Sequence, residues 1–152
     1  MSTNLSEHFT VEELIYSDTG VAKGIDNTPT EEALANLKWL CSKILEPLRH
    51  KLGKPIHINS GYRGEELNKE IGGVKPSQHC LGEASDISVS GMSAQELFDF
   101  IINETDLPFD QIILEFPDSE ISWVHISYTR GKLRGNKLIS EKIDGKTEYR
   151  EI

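Results

Sequence analysis

Two histidines and one aspartate have the types and spacing of ligands for a catalytic metal ion. His79 and Asp86 are separated by six residues that include Gly82, and His125 follows far downstream. Two imidazoles and one carboxylate are a ligand set that catalytic zinc uses, with a fourth position open for water. The three residues therefore predict a zinc-dependent hydrolase. The alternative is that they are three unrelated surface residues.

Glu115 is the candidate for the carboxylate that accepts a proton during hydrolysis. Residues 111–116 and 123–128 predict two strands of an antiparallel hairpin. Side chains alternate between the faces of a strand, so pairing residue 115 with 123 or 125 puts Glu115 and His125 on one face. A carboxylate beside the metal can act as general base, and Asp86, the shorter acid, is then the ligand. Asp118 and Glu120 in the turn are alternative candidates for the base. Alternatively, Glu115 is an exposed carboxylate at the end of a strand and has no catalytic role.

Capping signals predict where three helices begin. Thr10 with Glu13, Thr28 with Pro29 and Glu31, and Ser93 with Glu96 are start signals. The first helix is predicted to end near residue 16, and 17–27 to be loop. The second is amphipathic from residue 33 to 48, with its regular part bent or ended by Pro47 and the helix closed by Gly53.

Alternating segments predict the strands. These are 56–59, 86–90 with Asp86 at its start, 111–116, 123–128, and a C-terminal hairpin of 138–143 and 146–152 around Asp144-Gly145. A short helix is predicted over 65–71 and a loop over 74–78. Helices interleaved with short strands favour one α+β domain.

The composition limits the partners and the compartment. The chain has 152 residues and a net charge of −9, which argues against binding to nucleic acid. It contains no apolar run of membrane-spanning length, so no membrane partner is expected, and we expect a monomer. The first residues lack the features of a signal peptide, which predicts cytoplasmic synthesis. Cys41 is predicted to lie in the core, and Cys80 beside His79 to be a bystander rather than a ligand.

A larger set of residues in fixed order resembles a known family. The set comprises Ser60-Gly61-Tyr62-Arg63, Leu67-Asn68, Gly72-Gly73, Ser77-Gln78-His79, Gly82, Ala84, Asp86 and Trp123-Val124-His125. It is similar to the zinc D-Ala-D-Ala carboxypeptidase family of metallopeptidases, and most similar to its phage endolysin-like branch. The resemblance runs from about residue 9 to 128. It implies a hedgehog/DD-peptidase-like α+β domain, an antiparallel sheet with helices packed on it, which a C-terminal hairpin (129–152) extends.

The resemblance also implies roles for individual residues. It assigns His79, Asp86 and His125 as zinc ligands. The substrate-binding residues that it implies are Arg63, Ser77, Gln78 and Trp123, of which Arg63 would also stabilise the oxyanion. Some members carry the catalytic acid three residues before the last histidine, where this chain has Ser122. In the branch that the chain resembles, the acid lies on the preceding strand, which again indicates Glu115.

Two functions follow from these predictions. The first is a zinc peptidase that cuts peptidoglycan stem peptides, either at D-Ala-D-Ala or at L-Ala-D-Glu. The second is a non-catalytic zinc-containing module that binds peptidoglycan or protein, because a fold does not fix a function. The enzyme would serve either phage lysis, released to the cell wall by a holin, or the recycling of wall fragments in the cytoplasm.

Overall fold

A six-stranded sheet carries the helices in a computed structural model of the chain, which describes residues 3–73 and 77–152. The strand order is β1-β2-β4-β3-β5-β6. The strands are β1 (His57–Ser60), β2 (Ala84–Ser88), β3 (Gln111–Glu115), β4 (Trp123–Ser127), β5 (Asn136–Ile143) and β6 (Lys146–Glu151). The predicted α+β class is confirmed.

One strand pair departs from the antiparallel sheet that the resemblance implied. β5 lies beside β3 and runs parallel to it, whereas the other neighbouring pairs are antiparallel. The chain leaves β4, passes the start of β3 and enters β5 on the far side, which fixes the parallel direction. At this crossing the backbone N–H of Asn136 donates to the carbonyl of Asp110 at 3.0 Å. The division into a core (9–128) and an extension (129–152) stays a prediction.

The strand predictions were close, with shifts at the ends. β2 begins at Ala84 because that residue already pairs with Ser127 of β4, so Asp86 lies in the middle of the strand and not at its start. β5 begins at Asn136, two residues before the predicted start. The hairpin turn at Asp144-Gly145 is confirmed, with φ angles of 51° and 79°.

The caps of the helices follow the sequence signals with two exceptions. They are α1 (Val11–Ile15), α2 (Asp18–Lys23), α3 (Glu31–Leu40), a π-helical segment (Cys41–Leu45), α4 (Glu46–Leu52), α5 (Glu65–Glu70), a 3-10 turn (Gln78–Leu81) and α6 (Ala94–Glu104). The capping boxes at Thr10 and Ser93 are confirmed. The loop predicted over 74–78 falls mostly on residues 74–76, outside the described residues.

The two exceptions have local causes. Residues 17–27 were predicted to be loop, but α2 forms there because the Ser17 hydroxyl accepts from the Gly20 N–H and Gly24 closes the helix at φ 65°. Thr28 was predicted to cap α3, but its N–H and hydroxyl both donate to Asp26. Thr30 therefore takes the cap position instead.

Pro47 lies where regular α-helix is interrupted, as predicted. The π-helical segment immediately precedes α4, and α4 ends at Gly53, whose φ is 66°. A proline has no N–H to donate to the preceding turn, which explains why the regular hydrogen bonding changes at this point. Cys41 of the π-helical segment is fully buried, which confirms its prediction as a core residue.

The two faces of the sheet have opposite characters. The apolar face packs against α3, the π-helical segment and α6, and its fully buried residues include Ile87, Ile112, Leu114, Val124 and Ile126. Residues of opposite parity on the same strands, Asp86, Glu115 and His125, lie on the other face. Within residues 3–73 and 77–152, no helix has the length and apolar character needed to span a membrane.

Candidate metal centre and catalytic site

The structure brings the three predicted metal ligands together. Asp86 of β2 and His125 of β4 are directly opposed partners, and His79 comes from the 3-10 turn. The Asp86 Oδ1 lies 3.0 Å from His125 Nδ1 and 3.3 Å from His79 Nε2. Each residue offers one ligand atom, and these three atoms all lie within 4.8 Å of one another. All three side chains are buried, as catalytic ligands mounted on rigid elements should be.

The orientation of His79 is fixed by the backbone of the Ser60–Arg63 turn. Its Nδ1–H donates to the carbonyl of Gly61 at 2.7 Å, since a carbonyl can only accept. The lone pair on Nε2 therefore faces Asp86, as in metal sites where a carbonyl orients the imidazole. A side chain at Gly61 would collide with the Leu14 carbonyl, so only glycine lets this turn approach α1 so closely.

The donor set fits a zinc ion. Burial lowers the pKa of His79, which keeps the imidazole neutral and able to coordinate. Burial alone would raise the pKa of Asp86, but the two histidines hold it well below the ordinary range, so the carboxylate is ionised. Two imidazoles and one carboxylate satisfy what a catalytic zinc requires of its protein ligands. Cys80 is not a member of the cluster.

Glu115 lies on the same face as this cluster. β3 and β4 pair Glu115 with Trp123 and Ile113 with His125, which is one of the two registers expected from the sequence. Its Oε1 accepts a hydrogen bond from the Ser140 hydroxyl at 2.6 Å. Burial raises the pKa of the Glu115 carboxyl, an effect that the Ser140 hydrogen bond partly offsets. The charges of His125, Asp86 and Arg63 also act on this carboxyl, so it lies within electrostatic range of the cluster.

The chain just after Glu115 is held in an unusual conformation. Phe116 has a φ of 51°, which is rare for a side chain of this size. Its N–H donates to the carbonyl and the hydroxyl oxygen of Ser140 at 3.1 and 3.2 Å, and the Ser122 hydroxyl donates to the Glu115 carbonyl at 2.7 Å. Ser122 thus fixes the end of the strand that bears Glu115. The turn acids Asp118 and Glu120 are exposed.

Two predicted substrate-binding side chains have buried donors without a partner. Neither Arg63 Nε nor Trp123 Nε1 has a hydrogen-bond acceptor among the described residues. The negative charges of Asp86 and Glu115 act on the Arg63 guanidinium, which places it near the cluster. Trp123 packs edge-to-face on Phe116 with ring centroids 5.7 Å apart. Buried donors of this kind are costly unless a ligand satisfies them.

Ser77 and Gln78 already have partners within the protein. The Ser77 hydroxyl accepts from the N–H of His79 at 3.2 Å and caps the 3-10 turn. The Gln78 amide donates to the carboxylates of Asp110 at 3.0 Å and Glu83 at 3.4 Å. These contacts hold the turn that carries His79, and the substrate-binding roles of Ser77 and Gln78 stay predictions.

Sequence reasoning missed three residues that support the site: Asp110, just before β3, and Arg134 and Ser140 of the C-terminal segment. Buried Asp110, which accepts from Gln78, also receives the Arg134 guanidinium at 2.7 Å. Ser140 is fully buried against Glu115. If the pairing of β5 with β3 had been predicted, the alternation of side chains along the strands would have indicated Ser140. No local sequence signal indicates Asp110 or Arg134.

Comparison with known proteins places these observations in a family context. The model of the family described as Peptidase M15 matches residues 7–127 of the chain. A segment of 44 residues is 41% identical to the zinc D-Ala-D-Ala carboxypeptidase of Streptomyces albus G. That segment makes up 28% of this chain but only 17% of the relative, so the two are similar over a small part of the longer protein.

Proposed function

The chain belongs to the peptidase M15 family, and on that premise we propose that it is a zinc metallopeptidase that hydrolyses peptide bonds in peptidoglycan stem peptides. That membership confirms the resemblance predicted from the sequence, while the endolysin-like branch stays a prediction. The observation that carries the proposal is the buried cluster of His79, Asp86 and His125 with Glu115 on the same face of the sheet.

In the proposed reaction Glu115 moves the proton. Zinc held by His79, Asp86 and His125 would supply a Lewis acid that polarises the scissile carbonyl and lowers the pKa of water. The Glu115 carboxylate accepts a proton from the water that attacks this carbonyl and passes it to the departing amine nitrogen. Among the described residues Ser140 engages Oε1 alone, so the second oxygen of the carboxylate is available to accept that proton.

Arg63 and Trp123 are proposed to bind the substrate. A guanidinium offers a planar fork to a carboxylate or to a carbonyl oxygen that gains negative charge in the transition state. The partnerless Nε of Arg63 and Nε1 of Trp123 are donors aimed at no protein acceptor among the described residues, which supports this role. Ser77 and Gln78 complete the proposed substrate side, through the turn that carries His79.

The experiment is to mix the purified protein with muropeptides, with and without a chelator, and to identify the products by mass. We expect a peptide product that disappears when zinc is removed and returns when zinc is added back. Loss of a single alanine would indicate a D-Ala-D-Ala carboxypeptidase, and release of the stem peptide beyond its first alanine an L-Ala-D-Glu endopeptidase. Zinc bound without any peptide product would contradict the proposal and favour a non-catalytic binding module.

The cellular setting is part of the same proposal. We retain the predictions of a monomer that is made in the cytoplasm and that acts either on the wall, after release by a phage holin, or on wall fragments in the cytoplasm. Activity on intact, cross-linked cell wall and activity on free muropeptides distinguish these settings. An enzyme of lysis should cut the intact wall, whereas an enzyme of recycling should act on free muropeptides alone.

A further inference from the structure

The C-terminal hairpin, β5 and β6, contributes residues to the face that carries the site, although it lies beyond the family match at 7–127. Cross-strand partners share a face of a sheet. The observed registers pair Trp123 with Glu115, Glu115 with Ser140, and Ser140 with Tyr149. These four residues therefore form one row across β4, β3, β5 and β6, beside Asp86 and His125.

Ser140 makes a directed contact with Glu115. The Ser140 oxygen accepts from the Phe116 N–H, so its single proton is free to go to Glu115 Oε1, 2.6 Å away. The serine is fully buried, and its carbonyl also accepts from Phe116. One hydroxyl thus fixes both the backbone after Glu115 and the direction of its carboxylate.

Tyr149 lies next in the row and reaches solvent. Tyr149 is 50% exposed, whereas its neighbour in the row, Ser140, is fully buried. Burial of its ring, and then the negative charges of Glu115 and Asp86, raise the pKa of the Tyr149 phenol. The phenol therefore lies within electrostatic range of both carboxylates, keeps its proton, and can donate it to an incoming oxygen atom.

We propose that the C-terminal hairpin forms one side of the active site, with Ser140 as a positioning residue for the Glu115 carboxylate and Tyr149 as a substrate-binding residue. This inference rests on the proposed function. The ligand group that Tyr149 recognises is a neutral carbonyl oxygen of the stem peptide, because the protonated phenol is a hydrogen-bond donor and the charges of Glu115 and Asp86 would repel a carboxylate. The peptidase domain is then incomplete without residues 129–152.

The Ser140 part is tested by Ser140→Ala and Ser140→Thr, assayed for muropeptide turnover and bound zinc. We expect Ser140→Ala to lower kcat by roughly tenfold to a hundredfold, since a hydrogen bond to a charged group is lost. KM and zinc content should not change, and Ser140→Thr should recover most of the turnover because it keeps the hydroxyl.

Ser127→Ala is the matched control for Ser140→Ala. Ser127 is another fully buried strand serine, and its hydroxyl accepts from the Gln111 N–H at 3.1 Å. Its removal should affect stability but leave kcat near the wild-type value. The positioning role would be overturned by a kcat for Ser140→Ala within about twofold of wild type, by an equal loss in Ser127→Ala, or by a folded Ser140→Thr protein without turnover.

The Tyr149 part is tested by Tyr149→Phe, with Thr147→Val on the same strand as control. Loss of the phenol hydroxyl should raise KM severalfold with little change in kcat, and Thr147→Val should change neither. An unchanged KM for Tyr149→Phe would overturn the substrate-binding role. A wild-type protein that turns over nothing would overturn the proposed function together with this inference, whereas active wild type with unaffected variants would overturn the inference alone.

Discussion

Among residues 3–73 and 77–152, two clusters of histidine and carboxylate side chains have ligand atoms close enough together to hold a metal ion, but the clusters differ in burial and in hydrogen bonding. His79, Asp86 and His125 form one, and Glu7, His8 and Glu46 form the other. In the second cluster Glu7 and His8 are exposed, and His8 Nδ1 lies 2.7 Å from Glu46 but 4.0 Å from Glu7. Both clusters contain the atom types that bind zinc.

The clusters differ in how their donors are already used. The Glu46 carboxylate accepts from the Ser6 hydroxyl and the His8 N–H at 2.7 Å each, and it pairs with the His8 ring. It anchors the N-terminal segment to α4. In the buried cluster a backbone carbonyl orients His79, and nearby Arg63 Nε and Trp123 Nε1 lack protein partners among the described residues. Ligand atoms alone therefore do not define a site. Burial, the fixed orientation of His79 and the unsatisfied neighbouring donors distinguish the buried cluster.

The largest expected difference between the clusters is in zinc affinity. His79→Ala should lower zinc affinity by more than about a hundredfold and abolish turnover, because an essential ligand is removed. His8→Ala should leave both unchanged. Zinc content after dialysis, measured by atomic emission, checks this expectation. Zinc lost from His8→Ala but retained by His79→Ala would reverse the assignment of the two clusters.

A second test separates metal binding from proton transfer. Glu115→Gln should reduce kcat by roughly a hundredfold to ten-thousandfold while zinc stays bound, because an amide cannot act as general base. Glu46→Gln makes the same chemical change in the other cluster and should keep both turnover and zinc. Near-normal turnover of Glu115→Gln would show that another group is the base, with Asp118 and Glu120 the next to test.

A third test concerns the cation beside the buried cluster. Arg63→Lys keeps the positive charge but loses the planar fork, so kcat/KM should fall roughly tenfold to a hundredfold with zinc retained. Arg49→Lys on α4, near the exposed cluster, is the matched control and should have no effect on steady-state kinetics. Equal kinetics for Arg63→Lys and wild type would remove Arg63 from the proposed substrate-binding set.

The smallest expected effect is on the stability provided by the exposed cluster. Burial alone would raise the pKa of Glu46, but hydrogen bonds from His8 and Ser6 lower it below its ordinary value of 4.5. A carboxyl group whose pKa is lowered in the folded state stabilises the fold at pH values above its unfolded-state pKa. This stabilisation is lost as the pH falls through the folded-state pKa. Because solvent screens this surface contact, Glu46→Gln should cost only about 0.5–1 kcal/mol at neutral pH and less in acid, by urea unfolding. An equal loss of unfolding free energy at neutral and at acid pH would contradict an anchoring role for the ionised Glu46 carboxylate.

Much of the buried cluster could be predicted from the sequence, because the patterns that indicate it lie within short segments of the chain. The alternation of side chains along a strand predicts that Glu115 and His125 share one face, and the observed register agrees. The capping boxes at Thr10 and Ser93 succeeded for the same reason, since cap and partner lie three residues apart.

The residues that support the site could not be predicted from the sequence, because their contacts join segments that are distant along the chain. Ser140 meets Glu115 only because β5 passes to the far side of β3, across 25 residues of chain. Asp110 joins Gln78 and Arg134 in the same non-local way. The helix α2 was missed for a different reason: its glycine and aspartate suggested a loop, and the Ser17 cap outweighed them.

The central claim is that His79, Asp86 and His125 hold the zinc ion of the active site. Anomalous scattering measured on either side of the zinc absorption edge, from crystals of the zinc-loaded protein, tests it most directly. We expect an anomalous peak in contact with these three side chains. A peak only at Glu7, His8 and Glu46, or no peak at all in active protein, would contradict the claim.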